Sequence, residues 1–504
     1  MIVLKAPDVY LQDLLKREGI PYGFECSSSK HIFITPTEDQ LILTDFPDAP
    51  TEVKSYFKKV KYIAPDSTGL LDRVGIVDIN ARLMIPVSAN LGISEGREKV
   101  IYFSEMPNHG KILILPLNLT KLLRHRGITP KKFWTRGLKF PYEDIAITDR
   151  GGIRRLLAAC IKQFAQVANL PFVKLSSIPG SFRSIFGFRV DTDFSSPSLI
   201  EKAVRLSEKL QMRWTWFVTA EDDLSRLKSI INILAAQDVQ LHCYRHIVYP
   251  DLPLNKTNFQ KGKEIFAKIG IFPVGVAAPF GAWNENLQSA LEELGFKYSS
   301  EFGYSYDDLP GRPFVNGKPS NVLQIPVHPI SLGRLAAMKL NRKEIFEYYR
   351  RIIDLQCARH EPCFLYDHPR WIVHYHDVLK DILEYGVARC GNSSTLTDYS
   401  RWWQNRESVS YEIKLGDDGF IDLIVNGDCP YAQLTVEYNN QISYMSFKTQ
   451  RINLRDLKWV KTSSANIFND SELYTRNRDL RMLINDRLMN FIIKRMQKHK
   501  RKML

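Results

Sequence analysis

Between residues 181 and 395 the chain alternates short apolar runs with longer amphipathic stretches. FGFRVD, WTWFVT, VQLHC, VGVAAP, KYSSEF, VLQIPV and CFLYDH have the length and the β-branched or aromatic content of buried strands, and GVARC is an eighth candidate. Segments of helical period separate most of them, over 198–211, 222–237, 257–269, 284–294, 342–358 and 373–385. The first of these carries Leu199, Ala203, Leu206 and Leu210 on one stripe. Repeated βα units predict parallel strands with helices outside. Seven or eight of them predict an α/β fold, a distorted (β/α) barrel.

The flanks have other rhythms. Residues 1–180 mix β-like runs (HIFIT, LILTDF, VKYIAP, KVIYFS, KILILPL) with helical stretches and read as a separate α/β domain of unknown role. One helix is expected over 152–169, burying Ile153, Leu156, Leu157, Cys160, Ile161 and Ala165. Residues 396–468 read as a small antiparallel β-sandwich, with hairpin turns at Asp417-Asp418-Gly419 and Asn439-Asn440. Trp402 and Trp403, just after the barrel, suit packing between domains better than a sugar platform. Residues 469–504 are expected to form a basic amphipathic helix, with Leu480, Leu483, Ile484, Leu488, Phe491, Ile492 and Met496 at helical spacing.

Composition narrows the partners. The 504 residues are 44% hydrophobic, which excludes wholesale disorder, and carry a net charge of +14. Residues 476–504 hold ten Lys/Arg against two acids, so eight of those fourteen charges belong to the tail. That argues against nucleic acid as the partner of the whole chain. The tail helix fits two uses, packing one face on the barrel or lying on an anionic membrane surface, the latter suiting a lipid-linked glycan substrate. Seven scattered cysteines without a CxxC pair suit reduced thiols. The start of the chain lacks the pattern of a signal peptide, and no apolar run reaches the roughly 18 residues that a transmembrane helix needs. The expectation is a cytoplasmic protein, peripheral at the inner membrane, with no transmembrane segment.

Strand ends carry the candidate chemistry, because barrel sites gather there. FGFRVDTDF ends in Asp191 and Asp193, VQLHCYRH in His242 and His246, VLQIPVHP in His328, and CFLYDHP in Asp367 and His368. In an extended chain Asp191 and Asp193 share a side. His242 and His246 share a face if a helical turn begins there. Two imidazoles and a carboxylate suit a three-ligand divalent metal site, a second carboxylate suits a general base, and a facing histidine suits a general acid. Each residue also has a plainer use: the acids could cap the following helix beside Ser195 or Ser196, and the histidines could close strands.

Taken in order, the motifs resemble the polysaccharide deacetylase family (the NodB-homology domain of carbohydrate esterase family four). Arg189-Val190-Asp191-Thr192-Asp193 is similar to its acidic strand end. His242 and His246 match its His-x-x-x-His motif, Ala277-Ala278-Pro279-Phe280-Gly281 its Pro-aromatic-Gly step, and Tyr366-Asp367-His368-Pro369 its closing His-Pro. The resemblance implies that Asp193, His242 and His246 bind a divalent metal, zinc, that Asp191 is the base and that His368 is the acid. It further implies that the metal polarises the substrate carbonyl, aided by a backbone N–H near Phe280. Pro279, Phe280, His328 and Asp367 are then the substrate-contacting candidates. The implied reaction is hydrolysis of the acetamide of an N-acetylated sugar in a polysaccharide or lipid-linked glycan.

One departure stands out. The family's third motif opens with an Arg that holds the catalytic Asp, and this chain has Ala277 there. Arg189 is expected to alternate away from Asp191. The family's Asp/Trp motif has only Asp307, Asp308 and Trp371 as candidates. Ala277 keeps a second reading open, a glycan-binding or scaffold protein on a degenerate barrel. Hydrolysis of another C–N bond, in a formamide or cyclic amide, is a third.

Overall fold

The computed structural model describes residues 2–25, 31–37, 41–46, 77–79, 82–84, 102–106, 110–115, 123–124, 126–133, 135, 139–416 and 418–461. The run VKYIAP, residue Asp417 and the basic segment 469–504 lie outside the described residues.

At the centre is a parallel seven-stranded sheet. Its spatial order is Leu323–Gln324, Tyr298–Ser299, Gly275–Val276, Asp238–Cys243, Thr215–Thr219, Phe186–Asp191 and Cys363–Asp367. Chain order runs along the sheet from Phe186–Asp191 to Leu323–Gln324, and Cys363–Asp367 then returns to the other flank of Phe186–Asp191. A single main-chain hydrogen bond draws the two edges together, from His328 N–H to the Phe364 carbonyl (2.8 Å). The sheet is therefore curled into a distorted barrel. Its strands are buried on both faces and largely apolar, because each is covered inside by side chains and outside by helices. Trp214, Trp216, Phe217 and Tyr298 are fully buried there, and each such side chain contributes about 1.5–3 kcal/mol.

The helices between strands follow the sequence pattern with small shifts. The first is Pro197–Lys209, capped by Ser196, whose Oγ accepts the Leu199 N–H. That cap leaves Asp191 and Asp193 free of the capping use. The candidate strand GVARC is not one: those residues close the helix His376–Cys390. Its apolar residues face the barrel from outside, where a short apolar run alone cannot distinguish strand from buried helix.

Two further layers attach to the barrel. Before it, strands Tyr22–Gly23, Ile2–Leu4, Ile32–Pro36, Leu41–Thr44, Gly110–Leu115 and Tyr102–Met106 form one mixed sheet. Helix Arg150–Val167 packs on that sheet with all six of its expected apolar residues buried. After it, Ser410–Leu415, Phe420–Asn426 and Gln450–Asn453 face a second sheet containing Gln433–Tyr438 and Gln441–Ser446 across a shared core. Asn439 and Asn440 both take positive φ (48° and 58°), which a two-residue hairpin of this twist requires. Phe172–Leu175 joins this second sheet by pairing with Gln433–Tyr438. Trp403 lies in the barrel core, while Trp402 touches both the barrel and the sandwich and donates to the Pro430 carbonyl (3.0 Å).

A buried ion network ties these layers. Arg154 is bonded to Glu18, Asp308 (2.9 Å) and Glu361, and Arg17 to Asp308 and the Pro310 carbonyl (3.1 Å). Lys174 of the sandwich strand reaches Glu18 at 2.5 Å.

Candidate metal centre

Asp191 is the last residue of its strand, and the chain turns at once. Ser195 N–H donates to the Thr192 carbonyl (2.9 Å), and Asp193 takes a left-handed backbone, φ 45°. This turn, rather than a continued strand, aims the Asp193 carboxylate over the barrel mouth. His242 belongs to the strand Asp238–Cys243. His246 lies in the irregular loop that follows, so the helical turn expected to align the pair is absent. Two buried asparagines of helix Leu252–Ala267 hold that loop. Asn258 accepts the Arg245 N–H (2.6 Å) and donates to the Arg245 and Ile247 carbonyls, and Asn255 brackets Tyr249 in the same way.

The three side chains converge. Asp193 Oδ1 lies 3.2 Å from His242 Nε2 and 3.0 Å from His246 Nε2, and one ligand atom from each residue falls within 4.8 Å of the others. His242 Nδ1 is 2.6 Å from the Ala277 carbonyl, an acceptor, so Nδ1 carries the hydrogen. In the neutral ring Nε2 is then a lone pair, buried and without a hydrogen-bond partner, facing a carboxylate oxygen. Two acceptors at that distance repel unless a cation lies between them. The spacings are close to the roughly 3.3 Å edge of a tetrahedron whose donors stand 2.0–2.1 Å from a zinc-sized ion. A backbone carbonyl fixing the far nitrogen of a ligand histidine is the usual support of such a site. The donor set thus fits a small divalent ion.

Electrostatics agree with the geometry. Burial alone would raise Asp193, but the imidazoles of His242, His246 and His368 around it outweigh that and hold the carboxyl well below the usual range. Burial lowers His246. His368 stands across the cluster, with Nε2 3.4 Å from Asp193 Oδ2. Burial opposes its charge, yet Asp367, Asp193 and Asp191 overcome that and lift it to about 9. Asp367 is itself buried beneath His368. Its carboxylate accepts the His368 N–H (2.8 Å) and the Leu332 N–H (2.5 Å).

Asp191 contradicts one expectation. Arg189 does not alternate away from it: Arg189 Nε donates to Oδ1 (2.7 Å) and Nη2 to Oδ2 (2.6 Å). Residues two apart on a strand share a side, and that parity brings Arg189 to Asp191. That parity is the signal in the sequence that points to Arg189 as the partner of Asp191. Burial pushes Asp191 up, but the guanidinium charge and bonds bring it below the usual range. Arg189 also donates to the Ser300 carbonyl and Oγ, and its guanidinium lies 5.2 Å and 5.3 Å from the Phe217 and Tyr366 rings.

The remaining candidates scatter. Pro279 and Phe280 form a short turn in which Phe280 adopts φ 60°, a costly conformation for a bulky residue, with its ring 4.8 Å from His246. Phe194 flanks the other side of His246 at 5.5 Å, and both phenyl rings are more than half exposed, at 68% and 55%. His328 is not brought to the cluster. Its ring is buried between Asp307 (3.0 Å) and the Tyr348 hydroxyl (2.9 Å). Asp308 belongs to the ion network, and the Trp371 ring stacks against Tyr375.

Comparison with known proteins returns structures, not sequences. No protein-family profile and no curated protein matches the chain. A Mycobacterium smegmatis structure described as a polysaccharide deacetylase is 18% identical, with a TM-score of 0.38, over 45% of this chain and 93% of that one. A peptidoglycan deacetylase from Bacillus subtilis is 15% identical (TM-score 0.31, 45% and 94%). A family-four pseudoenzyme from Bacillus anthracis is 12% identical (TM-score 0.31, 54% and 90%).

Proposed function

We propose that this chain is a metal-dependent deacetylase that hydrolyses the acetamide of an N-acetylated sugar in a polysaccharide or lipid-linked glycan. The observation that carries this reading is the bare His242 Nε2 facing Asp193, with the His368 imidazole 3.4 Å from the same carboxylate. Asp193, His242 and His246 would hold the ion, zinc by the donor set. A bound ion supplies Lewis acidity toward the substrate carbonyl and acidifies water. Asp191, fixed and ionised, takes the proton of the attacking water. His368, charged at neutral pH, gives a proton to the departing nitrogen while Asp367 holds its backbone. Phe194 and Phe280 flank the approach with apolar faces that suit the C–H edges of a sugar ring. The products are acetate and a free amine.

The test is metal analysis of the purified chain, together with acetate release from N-acetylglucosamine oligomers. One metal per chain and acetate release lost in Asp191→Asn would support the reading. A chain that binds no divalent metal would end it. The scaffold alternative rests on Ala277, and the Arg189 clamp on Asp191 weighs against it. A panel including formamides and cyclic amides separates the acetamide reading from other C–N hydrolysis. Placement at the cytoplasmic face of the inner membrane, through the basic segment 469–504, is part of the same proposal. Sedimentation with anionic against neutral vesicles tests it.

A further inference from the structure

A carboxylate that must take a proton from a particular water needs its plane held. Asp191 is 4% exposed and Arg189 fully buried, so neither is steadied by solvent. The guanidinium meets both carboxylate oxygens at once, through Nε and Nη2. Such a fork fixes the plane of its partner, which a single ammonium charge cannot do. The guanidinium is itself held: Nη1 is bonded to Ser300, and Phe217 and Tyr366 lie against it. An ionised carboxylate offers about four lone-pair positions. The fork takes two and leaves one on each oxygen for water. The strand end that follows Gly275–Val276, whose Ala277 carbonyl orients His242, offers only a buried methyl group at residue 277.

We propose that Arg189 is the positioning residue of this centre, orienting Asp191 from within the same strand, so that the small residue at 277 leaves the base fully supported. The role in turnover rests on the deacetylase reading; the clamp itself is measurable without it.

Arg189→Lys keeps the charge and can satisfy a merely structural pair, but it cannot form the fork. The expected result is metal content and Co2+ absorption spectrum as in the parent protein, KM for N-acetylglucosamine oligomers within a few-fold, and kcat down at least about tenfold. Arg189→Met should lose about 100-fold or more in kcat. Parent-like kcat in Arg189→Lys would overturn the proposal. Independently of turnover, thermal melting of Arg189→Met, Asp191→Asn and the double variant should be non-additive. The double variant should melt above Arg189→Met, because it no longer buries a lone carboxylate. Additive shifts would also overturn the clamp. A metal-loaded parent that shows the coupling but releases no acetate removes the deacetylase reading alone. Turnover that Arg189→Lys leaves untouched removes the clamp alone.

Discussion

Glu301 lies behind the Arg189 clamp and is fully buried, with Oε1 accepting the Ala278 N–H at 3.1 Å. Burial pushes its carboxyl up to about 7, against the nearby Ser299 hydroxyl, the charge of Arg189 and the Ala278 N–H bond. The consequence for stability has a definite sign. Below the ordinary carboxyl value near 4.5, both folded and unfolded chains carry the proton and Glu301 is neutral to stability. As pH rises from there to about 7, the unfolded chain releases the proton and the folded chain keeps it, so stability falls. Above about 7 the deficit is constant, on the order of 3 kcal/mol. Glu301→Gln removes this linkage while keeping the shape. The variant should therefore melt close to the parent at pH 5 and above it at pH 8, by on the order of 5 °C. Differential scanning calorimetry at the two pH values reads the difference directly. A melting difference equal at both, or larger at pH 5, would refute the reasoning, because it would mean that Glu301 is ionised in the folded chain throughout.

Asp193→Asn keeps the volume but removes the charge from the ligand set. Zinc affinity, measured by chelator competition, should fall about 100-fold or more, and unchanged affinity would place the ion elsewhere. Arg154→Met leaves Glu18, Asp308 and Glu361 buried without their shared cation, so it should cost about 3–5 kcal/mol in denaturant unfolding. A loss below about 1 kcal/mol would show that the network contributes little. Burial opposes ionisation of Glu18, but Lys174 and Arg154 hold it near 2, so its stabilisation is present above about 4.5 and disappears as pH falls toward 2. Glu18→Gln should flatten that part of the acid melting profile. Phe280→Gly relieves the left-handed backbone that Phe280→Ala retains, so the glycine variant should be the more stable of the two by about 1 kcal/mol. Both should raise KM for a sugar oligomer if the ring is part of the approach.

Much of the barrel was legible because buried parallel strands and amphipathic helices write their periods into the chain. The hairpin at Asn439-Asn440 was legible for a similarly local reason, the positive φ that both residues must adopt. GVARC, with four apolar residues of five between Tyr385 and Gly391, suits a strand as well as the last turn of a buried helix. Arg189 is legible for another reason: strand parity places residues two apart on one side, and so Arg189 beside Asp191.

What the sequence determined by itself was the inventory, namely alternating strands and helices, and paired acids and histidines at strand ends. Those features are short-range, set by backbone period and residue chemistry. Which side chains meet was decided only by the tertiary structure. The asparagine latches that aim His246 and the Ala277 carbonyl that leaves His242 Nε2 bare come from other elements of the barrel. His328 carries the same His-Pro signature as His368, yet its ring turns to Asp307 and Tyr348 while His368 faces Asp193. Local pattern cannot separate them, because the direction of a side chain beyond a strand end is set by what the neighbouring strands and helices place around it.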